Sequence, residues 1–132
     1  IAIVQARCNS IRLPNKVLKK FDGKPAIEIL YERLNLSKKL NNIIIATSKN
    51  PSNLKLVSFC KEKKFDFFLG SENNVLKRYY DANKKFNADI IVRITGDSIL
   101  IDHNLVDEVI DLFIKKKLIM HPILNQNHFQ MA

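Results

Sequence analysis

Four short apolar runs, each followed by a segment with apolar residues at helical spacing, constrain this chain more than any other feature. Ile1-Ala-Ile-Val4 is a β-branched run of the kind that forms a strand buried on both faces. Residues 42–47 hold Ile43-Ile44-Ile45-Ala46, residues 66–69 form a third run ended by Gly70-Ser71, and residues 89–95 form a fourth before a turn at Gly96-Asp97. Phe21-Asp22-Gly23-Lys24 reads as a turn, and Pro25 suits a helix start. Ile27, Leu30, Tyr31 and Leu34 then predict an amphipathic helix over 25–37. Asn50-Pro51-Ser52 breaks the second run and opens a helix with Leu54, Val57 and Cys60 on its apolar face. A third helix over 74–86 turns Val75, Tyr79, Ala82 and Phe86 inward, and a fourth over 102–116 has Leu105, Val109, Leu112 and Phe113 as its apolar residues. Strand and helix repeated four times with short links predict a mostly parallel α/β sheet covered on both faces. A length of 132 residues suits one domain.

Between the first run and Pro25 the chain abandons periodicity and places Arg7, Arg12 and Lys16 in one irregular loop, with Asn9 and Ser10 between them. A loop leaving the carboxyl end of a buried strand is where open α/β sheets bind ligands. Arginine offers a planar fork for phosphate oxygens and lysine a mobile point charge. By charge alone, the same residues also read as a solvated basic loop.

The order of those residues is more specific. Gln5-Ala6-Arg7-x-x-Ser10-x-Arg12-Leu13-Pro14-x-Lys16 specifies eight of twelve positions and resembles the nucleotide-binding loop of the sugar cytidylyltransferases, with the spore-coat polysaccharide protein F group nearest and the CMP-3-deoxyoctulosonate and CMP-acylneuraminate synthetases beside it. It is not a Walker loop, lacking the Gly-rich cradle and the Gly-Lys-Ser/Thr ending. The resemblance implies a three-layer, nucleotide-diphospho-sugar-transferase-like (Rossmann-like) fold and assigns Gln5, Ala6, Arg7, Ser10, Arg12 and Lys16 to the nucleotide. Arg7, Arg12 and Lys16 would be the catalytic cations around the triphosphate.

Two later stretches carry the same resemblance. Arg93-Ile-Thr95-Gly96-Asp97-Ser-Ile99-Leu-Ile-Asp102 is similar to the family segment R-x-T-G-D-x-P-L-I-D, whose first Asp binds the metal; this implies Asp97 as a Mg²⁺ ligand with Thr95 and Gly96 at the nucleotide. Ile99 stands where the family has Pro. Without the resemblance, Asp97 reads as an ordinary turn residue, and Asp102 reads better as a helix N-cap than as a ligand. Gly70-Ser-Glu-Asn-Asn74-Val-Leu-Lys-Arg78-Tyr resembles G-S-E-x-D-V-L-x-R-Y, found where the family approaches base and ribose, with Asn74 in place of Asp. There Arg78 would be the polar contact, against a plain reading as a helix-face charge. Ala46-Thr47-Ser48 ends the second strand where the family uses backbone and a hydroxyl near the cytosine.

The implied reaction is sugar plus CTP giving a CMP-sugar and pyrophosphate, for surface polysaccharide or glycan synthesis, with full-length relatives as homodimers. Two rivals stay open: a nucleotidyltransferase using another NTP, whose usual Gly-rich G-x-G-T-R loop is missing, and a non-catalytic nucleotide-binding domain. The net charge of +9 comes from lysines scattered over helix faces, without a zinc finger, an RNA-binding signature or an aromatic-basic platform, so a nucleic-acid partner is not expected. Cys8 and Cys60 form no C-x-x-C and read as free thiols. No apolar run approaches the ~18 residues a membrane span needs, and no signal peptide is visible, so a cytoplasmic protein with no membrane partner is expected.

The last stretch fits none of this. Residues 118–132 show neither period nor family likeness, and a shifted reading frame of the back-translated tail permits Tyr-Tyr-Ala-Ser-Asn, close to the family's next strand. The expectation is therefore a nucleotide-binding domain over 1–117, incomplete at its carboxyl end and impaired in transfer, followed by an aberrant, frameshifted tail. The missing initiator Met points in the same way to a trimmed amino end.

Overall fold

The computed structural model describes residues 1–9, 13–116 and 130–131. Strand β1 (Ala2–Gln5) is followed by the basic loop, a 3₁₀ turn at Lys16–Leu18, and a small hairpin of β2 (Lys20–Phe21) and β3 (Lys24–Pro25). Helix α1 (Ala26–Leu34), β4 (Ile43–Ser48), a 3₁₀ turn at Pro51–Asn53, α2 (Leu54–Glu62), β5 (Asp66–Gly70), α3 (Val75–Phe86), β6 (Ile90–Thr95), α4 (His103–Lys116) and β7 (Gln130–Met131) complete the chain. The large sheet has the order β5-β4-β1-β6-β7, and its strand pairs are parallel. The chain steps outward from β1 through β4 to β5, then returns to place β6 on β1's other side. That reversal makes the carboxyl end of β1 the topological switch point, where such sheets leave a crevice.

The expected α/β architecture is present, and β1 is buried on both faces as its composition predicts. Ala2 and Val4 pack with Ile43, Ile45, Val92 and Ile94 against Leu30, Leu34, Leu56, Cys60, Val106 and Ile110 of α1, α2 and α4. Ile3, Ile44, Ala46 and Ile91 face Tyr79 and Ala82 of α3. Tyr31 stacks on Phe65 with ring centroids 3.7 Å apart, which docks α1 beside the start of β5.

Two expectations need correction, and a third, the turn before α1, is borne out and extended. On α4 the buried stripe is Val106, Ile110 and Phe113, while Leu105, Val109 and Leu112 are exposed. Both stripes are apolar at helical spacing, so hydrophobicity alone leaves the rotation open. Asp107 settles it, accepting from the Ser37 hydroxyl and from the Lys38 amide at 2.9 Å, while Asp111 pairs with Lys39. On α2, Leu56 and Cys60 are buried and Leu54, at the helix start, is exposed. The turn at Phe21–Lys24 is a full hairpin: Asp22 (φ 49°) and Gly23 (φ 80°) supply the two positive φ values that a two-residue type I′ connection requires. Asp102 caps α4, its carboxylate accepting from the Asn104 amide at 2.8 Å. The expectations for residues 118–132 fall almost wholly outside the described residues.

Candidate functional site

The exits of β1, β4 and β6 are laced together by backbone. Gln5 is in register with Ala46 on one side and Thr95 on the other. Beyond the strand, the Ala6 amide donates to the Ala46 carbonyl at 3.0 Å and the Gly96 amide to the Gln5 carbonyl at 2.8 Å. A Cβ on Gly96 would stand 3.0 Å from both the Ala6 Cβ and the Gln5 carbonyl oxygen. Glycine is what lets the β6 exit close onto the β1 exit and set Asp97 over the switch point.

The basic loop is pinched at its neck. The Asn15 amide donates to the Cys8 carbonyl at 2.9 Å, with Asn15 in the left-handed region at φ 55°, and Val17 plugs the core just beyond. This brings Lys16 back over the sheet, where its ammonium meets the Asp97 carboxylate at 2.5 Å, 81 residues along the chain. The Lys16 ammonium, and after it the Thr95 hydroxyl, hold the Asp97 carboxyl below the usual carboxylate range. The Thr95 hydroxyl in turn shares a hydrogen bond of 2.8 Å with that of Ser98. Both partners of the ion pair are substantially exposed, so the pair is weak as a stabiliser and open to exchange. Arg7 is exposed at the root of the same loop. Ser10 and Arg12 lie outside the described residues.

Removing the ammonium tests this electrostatic assignment. In Lys16→Met the Asp97 carboxyl is expected to titrate at higher pH than in the parent, read by carbon NMR. In the parent, the lowered pKa keeps Asp97 ionised above the ordinary carboxylate value of about 3.9, and its contribution fades as pH falls through the lower folded-state value. An unchanged Asp97 titration would mean that the pair does not form in solution.

Behind the neck, the β4 and β5 exits are fixed by amides and by a buried guanidinium. The Cys8 amide donates to Asn53 Oδ1 at 2.8 Å, and Asn53 Nδ2 donates to Ser48 Oγ at 2.8 Å; Asn53 is 1% exposed. Glu72 Oε1 accepts from Asn9 Nδ2 at 3.2 Å and from Asn50 Nδ2 at 2.8 Å. Arg78 is 3% exposed, which overturns the helix-face alternative. Its Nε and Nη2 donate to the Ser71 carbonyl at 2.8 and 2.6 Å, and Nη2 also reaches the Glu72 carbonyl at 3.0 Å. Nη1 is buried without a partner among the described residues. Burial lowers the Arg78 pKa, with the nearby Arg7 charge acting in the same direction. A Cβ on Gly70 would come 2.7 Å from the Arg78 Cγ, so this glycine is the gap through which the arginine passes. The Thr47 hydroxyl is likewise buried and unpartnered, at the end of β4. Sequence reasoning missed Asn53 and Glu72. In a chain so rich in asparagine, nothing local separates Asn53 from its exposed neighbours.

Asp97 is a single accessible carboxylate, and no cluster of three or more His, Cys, Asp or Glu suited to a metal occurs among the described residues. That donor set does not fit a closed protein cage for a transition metal. It does fit Mg²⁺, which is commonly held by one or two carboxylates and substrate phosphates. Cys8 and Cys60 are free and buried, and burial pushes the Cys60 thiol up to about 12, so neither is a thiolate nucleophile. A cavity of about 400 Å³ lies at the opposite, amino ends of the strands, bordered by Ile1, Asn42, Phe86 and Ile110. It is remote from the charged groups and on the wrong side of a parallel sheet for the chemistry.

The sequence pattern of one protein family, described as cytidylyltransferase, matches residues 1–121. The chain belongs to the cytidylyltransferase family. Among relatives of this chain, an uncharacterized protein of Methanocaldococcus jannaschii is 44% identical over 115 residues, covering 87% of this chain and 47% of the relative. The spore coat polysaccharide biosynthesis protein SpsF of Bacillus subtilis is 36% identical over 112 residues, covering 82% of this chain and 47% of the relative. The solved structure of a cytidylyltransferase from Leptospira borgpetersenii superposes with a TM-score of 0.82 at 37% identity, covering 88% of this chain and 49% of that one. The chain thus spans about half the length of the relatives it matches. No helix among the described residues is long and apolar enough to cross a membrane.

Proposed function

We propose that this cytidylyltransferase-family chain binds CTP at the carboxyl ends of β1, β4 and β6, as the nucleotide half of a site that makes CMP-sugars. The observation that carries the reading is the meeting of Lys16 with Asp97 at the switch point, a cation from the basic loop against the carboxylate of the β6 exit. Arg7 and Lys16, together with Ser10 and Arg12 of the same loop, contact the triphosphate. Gln5, Ala6, Ala46, Thr47, Ser48, Arg78, Thr95 and Gly96 form the nucleotide floor and walls. Asp97 is the carboxylate that would hold Mg²⁺, which when bound neutralises polyphosphate charge. An oxygen of the sugar attacks the α-phosphorus in line, the new P–O bond forming as the bond to the departing pyrophosphate breaks. The cations of the loop supply positioning and charge neutralisation, without a covalent intermediate.

Calorimetric titration with CTP, UTP and GTP in the presence of Mg²⁺ tests the reading. CTP is expected to bind about tenfold or more tightly than the other two, the order of discrimination that a few base-edge hydrogen bonds supply. Equal affinities, or no binding at all, would overturn it. Because the chain spans about half of its relatives, we propose that these 132 residues alone bind nucleotide but transfer little or no cytidylyl group. Robust CMP-sugar formation by the purified chain would contradict that part.

A further inference from the structure

We propose that Asn53 is the positioning residue of the nucleotide site, an internal rivet that holds the root of the basic loop against the exit of β4. The proposal rests on the reading of that loop as the phosphate-binding element. Among the described residues, Asn53 hydrogen-bonds with Ser48 alone of the groups assigned to the nucleotide, and it acts through the backbone of Cys8. Its carboxamide lies between two groups of fixed polarity: the Cys8 N–H can only donate, and the Ser48 carbonyl, 3.4 Å from Nδ2, can only accept. One orientation of the amide satisfies both, with Ser48 Oγ taking the shorter bond from Nδ2.

All three residues are buried: Cys8 is 3%, Ser48 4% and Asn53 1% exposed. Water does not reach this joint to replace a lost partner, so a Cys8 N–H deprived of Asn53 would stay unpaired or pull the loop away to find solvent. The Cys8 carbonyl also closes the loop neck by accepting from Asn15, so displacement of Cys8 moves both roots of the loop, Arg7 on one side and Lys16 on the other. Asn53 reaches this place because Asn50 caps the turn before it. Asn50 Oδ1 accepts from the Ser52 amide at 2.9 Å, and the 3₁₀ turn then presents residue 53 to the interior. Asn50 and Asn9 converge on Glu72 at the surface, which adds an outer fastening between the same segments. That outer fastening is exposed and exchangeable, whereas the Asn53 joint is sealed.

The test compares Asn53→Leu, which keeps the branching and heavy-atom count and removes both hydrogen-bonding functions, with Asn53→Asp, which keeps the acceptor for Cys8 and, protonated at low pH where the comparison is made, a donor for Ser48. Amide hydrogen exchange in the nucleotide-free chain reads the joint directly. In Asn53→Leu the Cys8 amide is expected to exchange about tenfold or more faster, with the β1 amide of Val4 unchanged, and CTP to bind about five- to twentyfold more weakly. In Asn53→Asp, Cys8 protection should remain and CTP affinity should stay within about threefold of the parent. Equal acceleration at Cys8 and Val4 in both variants would make Asn53 a general stability residue and overturn the proposal. So would unaltered Cys8 exchange in Asn53→Leu. Should Asn53→Leu fail to fold, Cys8 protection in Asn53→Asp decides. Failure of the parent chain to bind any nucleotide would instead strike the reading of the loop, a result the exchange measurement does not depend on.

Discussion

Replacing Asp97 by asparagine is expected to weaken binding of CTP in the presence of Mg²⁺ by about 10- to 100-fold while leaving magnesium-free CTP bound equally well or more tightly. The two signs come from one carboxylate. A free nucleoside triphosphate is a polyanion, so Asp97 opposes it, and Asp97 also occupies the Lys16 ammonium at 2.5 Å. Asparagine keeps the size of the side chain, removes the repulsion and releases Lys16 for phosphate. With Mg²⁺ present, the same substitution removes the carboxylate that would hold the ion, and that loss dominates. Because the Asp97 side chain is 53% exposed, solvent screening keeps the effect well below what a buried ion pair would give. Calorimetry with and without the metal reads both arms. An equal loss in both would indicate structural damage, and no change in either would remove Asp97 from the site.

Arg78→Met is expected to lower stability by about 2–3 kcal/mol, read as a fall in the denaturation midpoint at unchanged slope. Two effects compete. Taking away a buried guanidinium relieves a desolvation cost, the same burial that lowers its pKa. Against this, three charge-assisted hydrogen bonds to the Ser71 and Glu72 carbonyls are lost, and among the described residues the β5 exit has no other clamp of that kind. Ser71 is only partly buried, so water restores some of the loss, which limits the figure. Arg78→Lys should recover a minor part, because one ammonium cannot reproduce the planar fork. An Arg78→Met chain as stable as the parent would show that burial of the charge outweighs its bonds. Release of the Ser71–Glu72 segment would also loosen Glu72 from Asn9 and Asn50.

The alternation of strands and helices was legible because it is written in short-range periodicity. Ile3, Ile44 and Ile91 sit where a buried parallel strand puts them, and Asp102 caps α4 as its position suggests. The α4 rotation was not legible. Leu105, Val109 and Leu112 make as good a stripe as Val106, Ile110 and Phe113, and the choice is made by Asp107 bonding to residues some 70 positions away. At the site, the motifs pointed to Lys16 and Asp97, and the fold brings these two into contact. The motifs were silent on what braces them. Asn53 looks like any surface asparagine until the turn at Pro51–Asn53 carries it inside. Arg78 looks like either a ligand contact or a solvated charge, and only its burial under the β5 exit separates it from the second.

The tight passage of Arg78 over Gly70 makes those two positions a single inherited unit. A methyl group at 70 finds the Cγ of residue 78 already in its place, 2.7 Å away, so no rotation of the guanidinium tip relieves the clash. The Phe68 ring stands 2.9 Å from the same point, so a lineage that shortens the arginine must still keep position 70 small until Phe68 has also given way.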